Sequence, residues 1–210
     1  MYLARHDLAL LEARQLDDGT ALPEALRLEE LHADQLDQVL QTYRELGHRH
    51  PEGRPQRRFA NRLRFGRLWM GKQVVASLWV AHGVHRYIDE LSWRLPLRDD
   101  QFWVRDVFVA PAWRGQRLYQ SLLRLVAAQW LERFHSAWSD VDWSNAASIK
   151  AHVAAGFEVR HRVRSLDLAG RLRLRDRLVA WPDAVTALTP RRRWLWLGGE
   201  ARRQHLDWVA

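Results

Sequence analysis

The chain has 210 residues, enough for one domain with a full core, and its 47% hydrophobic and 28% charged residues are the balance of an ordinary globular protein. It contains no cysteine, which excludes disulfides, thiolate metal sites and cysteine nucleophiles. The formal charge of +8 rests almost wholly on arginine, Lys72 and Lys150 being the two lysines; arginine suits phosphate and carboxylate, but a compositional habit explains the count equally well.

In chain order, residues 1–24 read as a polar-apolar lead-in without the continuous apolar run of a signal peptide, closed by the turn-rich "DDGTALPE". No stretch nears the run of about 20 apolar residues that spans a bilayer, so the expected home is the cytoplasm, with no membrane partner. Residues 25–31 alternate like a strand. Residues 33–47 place Leu36, Val39, Leu40 and Tyr43 at helical spacing and end at Gly47, a C-terminal cap. After the loop "HRHPEGRP", residues 56–66 predict a short amphipathic helix closed by Gly66. "RLWMG" and "QVVASLWVAHG" flank a Gly-Lys turn and predict a hairpin, and 84–97 holds a further short strand. "QFWVRDVFV" (101–109) is a strand stopped at Pro111. The helix after it stacks Leu118, Leu122, Val126 and Trp130 on one stripe. A strand (136–144), a helix (145–156) and a strand (157–168) follow, and an Arg- and Trp-rich tail (170–210) carries two strand-like stretches. The division is an N-terminal extension (1–24), an α/β domain (25–168) and a C-terminal extension (169–210) packed on it.

One junction points to chemistry. In "VFVAPAWRGQRLYQSLL" a buried strand runs through a tight turn into a helix, and the turn is loaded with arginine. The first N–H groups of a helix lack internal partners, and the helix dipole adds positive charge there, so such a turn seats a phosphate. Gly115 supplies freedom for close approach or positive φ, and Arg114 and Arg117 supply charge.

The segment resembles the pyrophosphate-binding motif of the GNAT superfamily of N-acetyltransferases, with Val109, Pro111, Arg114 and Gly115 in register. The family's second motif is matched by Asn145, Ser148, Gly156 and Phe157 in "SNAASIKAHVAAGFEV". Arg117 and Tyr119 depart from it, standing where relatives carry glycine and a small residue.

The resemblance implies a mixed, mostly antiparallel sheet flanked by helices, with a V-shaped opening between two parallel strands. It implies acetyl-CoA as cosubstrate and no metal. The groups that would hold it are Val107, Phe108 and Val109 on the strand, Arg114, Gly115, Gln116, Arg117, Leu118 and Tyr119 on the turn and helix, and Asn145 and Ser148. Main-chain N–H groups near Val107 and Val109 would polarise the thioester carbonyl. Relatives often carry a glutamate base where this chain has Arg105. Asp106 and Glu90 are the remaining carboxylate candidates, and Asp106 reads equally as a carboxylate satisfied at a strand edge. His152, seven residues past Asn145, takes the place of a tyrosine acid and would need surroundings that keep it protonated. His48, His50 and Trp79, Trp93 and Trp103 border the expected acceptor side or pack in the core.

The reading is a CoA-dependent N-acyltransferase acting on a small-molecule amine, as a monomer or homodimer. Two alternatives stay open. One is acetylation of an aminoacyl-tRNA or other RNA-linked amine, a nucleic-acid partner that is not favoured. The other is a non-catalytic CoA-binding module.

Overall fold

The computed structural model describes residues 3–14, 16, 22–50, 53–83, 85–88, 93–130, 135–168, 172–175 and 194–196. In chain order the elements are β1 (Leu3–Ala13), β2 (Leu26–Leu31), α1 (Leu36–Leu46), α2 (Arg54–Ala60), β3 (Arg64–Met70), β4 (Gln73–His82), β5 (His85–Ile88), β6 (Trp93–Pro96), β7 (Gln101–Val109), α3 (Leu118–Trp130), β8 (Ser136–Asp142), α4 (Ala146–Ala154), β9 (Glu158–Leu168), β10 (Leu172–Arg175) and β11 (Trp194–Trp196). Nine strands form one sheet in the order β11-β10-β9-β1-β8-β7-β4-β3-β2, and β5 and β6 form a separate hairpin. Every neighbouring pair in the sheet is antiparallel except β7 and β8. The mixed sheet with one parallel pair is the architecture expected from the sequence.

Both faces of the sheet are covered, so its central strands are apolar on both sides. Alternation sends Ala9 and Leu11 of β1, Phe102 and Val104 of β7, and Ala137 and Val141 of β8 to one face, where Leu118, Leu122 and Val126 of α3 meet them. Leu8, Leu10, Trp103 and Trp138 go to the other face, with Val39 and Tyr43 of α1. Helix α1 buries Val39, Thr42, Tyr43 and Leu46, and Gly47 ends it in the left-handed conformation at φ 68°.

Three expectations are corrected. The N-terminal segment is no appendage: β1 lies inside the sheet, antiparallel to β8 on one side and β9 on the other. Gly66 does not cap a helix. Helix α2 ends at Ala60, Arg62 turns the chain at φ 61°, and Gly66 sits in β3 opposite Leu78. There a Cβ would lie 2.7 Å from the Trp130 ring of α3 and 2.9 Å from Leu78, so glycine lets the end of α3 rest on the strand. The segment 84–97 holds two paired strands instead of one. In the tail, β10 and β11 continue the sheet beyond β9, and the rest of 170–210 lies outside the described residues. Among the described residues no helix is long and apolar enough to cross a membrane.

Candidate active site

Strands β7 and β8 pair from Gln101↔Ser136 to Val104↔Ser139 and then part, although β7 runs on to Val109 and β8 to Asp142. Each keeps its outer partner: β7 stays on β4, and β8 stays on β1. The parting coincides with a bulge in β7. Its register against β4 slips between Ser77 and Trp79, and Asp106 takes φ 47°. A cleft of about 690 Å³ fills the opening.

The walls of the cleft come from both faces of the sheet. Val104 to Val109 form one side and Ser139 to Asp142 the other. On the α3 face, Arg114, Tyr119, Asn145, Ser148, Ala151 and His152 close it. On the α1 face, His6 and Leu8 of β1 and Arg86 of β5 do so.

Nine of the residues singled out in the sequence therefore meet in one cleft: Asp106, Val107, Phe108, Val109, Arg114, Tyr119, Asn145, Ser148 and His152. Gly115, Gln116 and Arg117 are exposed on the turn and do not line it, and Leu118 is turned into the core. Glu90 lies outside the described residues, as does the Trp93 side chain. Trp79 and Trp103 are core residues whose indole N–H groups donate to Tyr43 Oη at 2.6 Å and Asp140 Oδ1 at 2.6 Å. His6, Arg86, Ser139 and Asp140 were not anticipated. Their place depends on where β1 and the β5–β6 hairpin fold back, which no local pattern announces.

The turn itself is ordered by its sequence. Pro111–Trp113 form a single 3-10 turn, after which Gly115 stands at φ 80° and Arg117 at φ 57°. Arg117 thus adopts a backbone conformation that glycine enters without cost. Its side chain is exposed on the turn. Arg114 bends back, donating from Nε to the Val109 carbonyl at 3.2 Å, with its guanidinium 5.8 Å from the Phe108 ring. His48 stacks on Phe108 at 4.4 Å, which ties the α1–α2 loop to this rim.

Helix α4 starts on Asn145, whose side-chain oxygen accepts from the Ser148 N–H at 3.1 Å, so the Asn-x-x-Ser spacing is also an N-cap. His152 is buried. Its Nδ1 lies 2.8 Å from the Ser148 carbonyl, which can only accept, so Nδ1 carries the proton. Nε2 lies 2.8 Å from Ser139 Oγ and in the neutral ring accepts from that hydroxyl. Burial pulls the imidazole below its ordinary value, with the Ser148 contact and Asp140 opposing. An acid role for His152 is conditional on surroundings that keep it protonated, and burial acts against that condition. The Tyr119 ring packs 4.8 Å from His152; its hydroxyl is buried without a hydrogen-bond partner, and burial raises its pKa well above 10.

Asp106 is a satisfied carboxylate, one of the two readings that the sequence left open. It accepts from Arg58 Nη2 at 2.5 Å and lies 3.8 Å from Arg54 Nη1. Burial pushes this carboxyl up, but Arg58, Arg105 and Arg54 outweigh it and hold it at about 2. A carboxylate so firmly ionised is a poor proton acceptor near neutral pH, which removes Asp106 as the base. Among the described residues no group of three or more His, Cys, Asp or Glu is placed to hold a metal ion.

No protein-family model matches the chain, and no curated protein matches it. Solved structures do. A conserved protein of unknown function from Staphylococcus epidermidis superposes with a TM-score of 0.54 at 9% identity, over 78% of this chain and 61% of that one. An acetyltransferase assigned to the GNAT family from Novosphingobium aromaticivorans gives 0.49 at 15% identity, over 77% and 63%. An aminoglycoside 6'-N-acetyltransferase from Acinetobacter baumannii gives 0.44 at 17% identity, over 76% and 99%. At these identities the likeness is one of fold, and the chain spans under two thirds of the length of the first two. The parted parallel strands and the strand-turn-helix at their rim are the features that the sequence resemblance implied.

Proposed function

We propose that the chain is a CoA-dependent N-acyltransferase, moving an acetyl or other short acyl group from acyl-CoA to a primary amine of a small molecule by direct attack in a ternary complex. The observation that carries this reading is the parting of β7 from β8 beside the Pro111–Arg117 turn. Together they make a cleft through the sheet with an anion seat at one rim.

The residues present fit acyl-CoA. Val104, Val107, Val109, Val141, Ala147 and Ala151 give the cleft apolar walls suited to a long flexible arm. The unpaired N–H groups of the first turn of α3, with Arg114 and Arg117, would hold the diphosphate. Bound there, acyl-CoA supplies an activated thioester. Past Val104 the inner edge of β7 has no strand partner, so its N–H groups can polarise an acyl carbonyl, as an oxyanion hole does.

The proton carriers follow from the hydrogen bonds. Neutral His152, protonated at Nδ1 and open at Nε2, takes up a proton from the cleft through the Ser139 hydroxyl. Tyr119 lines the cleft with a hydroxyl that burial keeps protonated, and with acyl-CoA bound it would serve as the hydrogen-bond donor to the departing sulfur.

Thermal unfolding with and without acetyl-CoA tests the reading. A ligand that binds the folded state raises the melting temperature, by about 2.7 kcal/mol of stability at 100 times its Kd. Acetyl-CoA should stabilise the wild type, and Gly115→Asp, which sets a negative charge in the anion seat, should abolish the rise. No rise at millimolar acetyl-CoA in the wild type would end the transferase reading.

A further inference from the structure

The α1-face side of the cleft carries two arginines, Arg86 and Arg105. Arg86 is 3% exposed, lines the cleft and holds Asp140 through Nε and Nη2, at 2.8 to 3.2 Å. Its Nη1 is buried with no hydrogen-bond partner. Arg105, two residues past the core Trp103, lines the same wall. Arg58 and Arg54 stand behind Asp106. Among the described residues, three aspartates line the cleft: Asp106 is engaged by Arg58, Asp140 by Arg86, and Asp142 accepts from Ser144. Trp103 Nε1 adds a third donor group to Asp140, and Arg58 saturates Asp106.

A buried guanidinium that keeps one N–H group unused beside a ligand-sized space is equipped for an incoming acceptor oxygen. We propose that the acceptor amine carries an anionic group, a carboxylate or a phosphate, which is received by Arg86 Nη1 in the field of Arg105. This rests on the transferase reading and names its substrate class.

The test uses matched probes: the proteinogenic amino acids against their amides, O-phosphoethanolamine against ethanolamine, and kanamycin as a polycation. Thiol release from acetyl-CoA gives kcat/KM, and thermal shift with CoA present gives binding. The anionic member of at least one pair should be preferred by about 10-fold or more, the scale of one lost charge-assisted hydrogen bond. That preference should vanish in Arg105→Gln and in Arg86→Gln/Asp140→Asn, which removes the buried pair as a unit, while the shift given by CoA persists. Preference by an amino acid identifies the carboxylate, and preference by O-phosphoethanolamine identifies the phosphate. Equal or better use of the amides, ethanolamine or kanamycin would overturn the proposal, as would a preference that survives both variants. If acetyl-CoA itself gives no shift, the transferase reading falls. The same pairs measured without CoA then decide the anion site, which fails if no anionic probe stabilises the wild type.

Discussion

Tyr119 shows how one side chain can work against its own fold. A buried hydroxyl without a partner costs about 1–3 kcal/mol relative to a satisfied one, and nothing in the packing of Tyr119 requires the oxygen. If the group is kept for the reaction, Tyr119→Phe should separate the two quantities. Stability should rise by up to about 1 kcal/mol, read as a higher melting temperature, while kcat falls roughly 10²-fold, the scale of losing a positioned proton donor. A variant that is more stable and equally fast would leave the hydroxyl without a role. At this scale the sequence was readable where the chemistry is local. The strand-turn-helix around Arg114 and Gly115 and the Asn145 cap follow from neighbours in the chain. The protonation of His152 does not, because it is set by Ser148 together with Ser139 on another element. Nor does the pairing of Asp106, whose partners Arg54 and Arg58 arrive on α2.

Among the elements, α3 illustrates how a helix end is seated. Its C-terminal residue Trp130 lies over Gly66 of β3, while Arg64 donates to the Trp130 carbonyl at 3.3 Å and places its guanidinium 4.4 Å from the indole centroid. The strand residue and the helix end thus fit as one unit. Gly66→Ala should drive a methyl into the Trp130 and Leu78 side chains and cost about 1–3 kcal/mol, the range for overpacking, as measured by urea unfolding. A change under 0.5 kcal/mol would mean that the indole is free to move aside. The sequence pointed the other way here, because a glycine closing an amphipathic run reads as a helix cap. What reverses that reading is the register of β3 against β4, a long-range fact. The same holds for β1, whose mixed charge and apolar pieces give no sign of a strand buried among β8 and β9.

For the molecule as a whole, acid stability follows from the shifted groups. His48, His152 and His161 are all pulled below their ordinary value, first of all by burial. A histidine depressed in the folded state costs nothing above its unfolded value, near 6.5. It destabilises progressively as pH falls below that, because the unfolded chain then binds protons more readily. The carboxylates act lower. Glu29 is held down first by its hydrogen bonds from Arg67, and Asp106 is held at about 2 by its arginines. Their contribution is intact above about pH 5 and is lost as pH falls through about 2. The urea midpoint should therefore decline in two stages, one starting near pH 6.5 and one below about pH 5. His152→Gln should flatten the first and leave the second. A midpoint constant from pH 7 to 5 would mean that these histidines titrate freely.

The central position of β1 also orders the molecule in time. Its side chains find their partners very late: Glu12 with Arg160 and Asp7 with Arg162 are separated by 148 and 155 residues. During synthesis at about 5–20 residues per second, the strand that emerges first waits roughly 8–30 s for the strands that will flank it. Through that interval the run from Leu8 to Leu11 is an unpaired apolar segment at the front of the growing chain. The cleft cannot exist before then either, since β1 supplies one of its walls and braces β8 where that strand leaves β7. The protein becomes competent to bind anything in that cleft only when β1 has closed on β8 and β9.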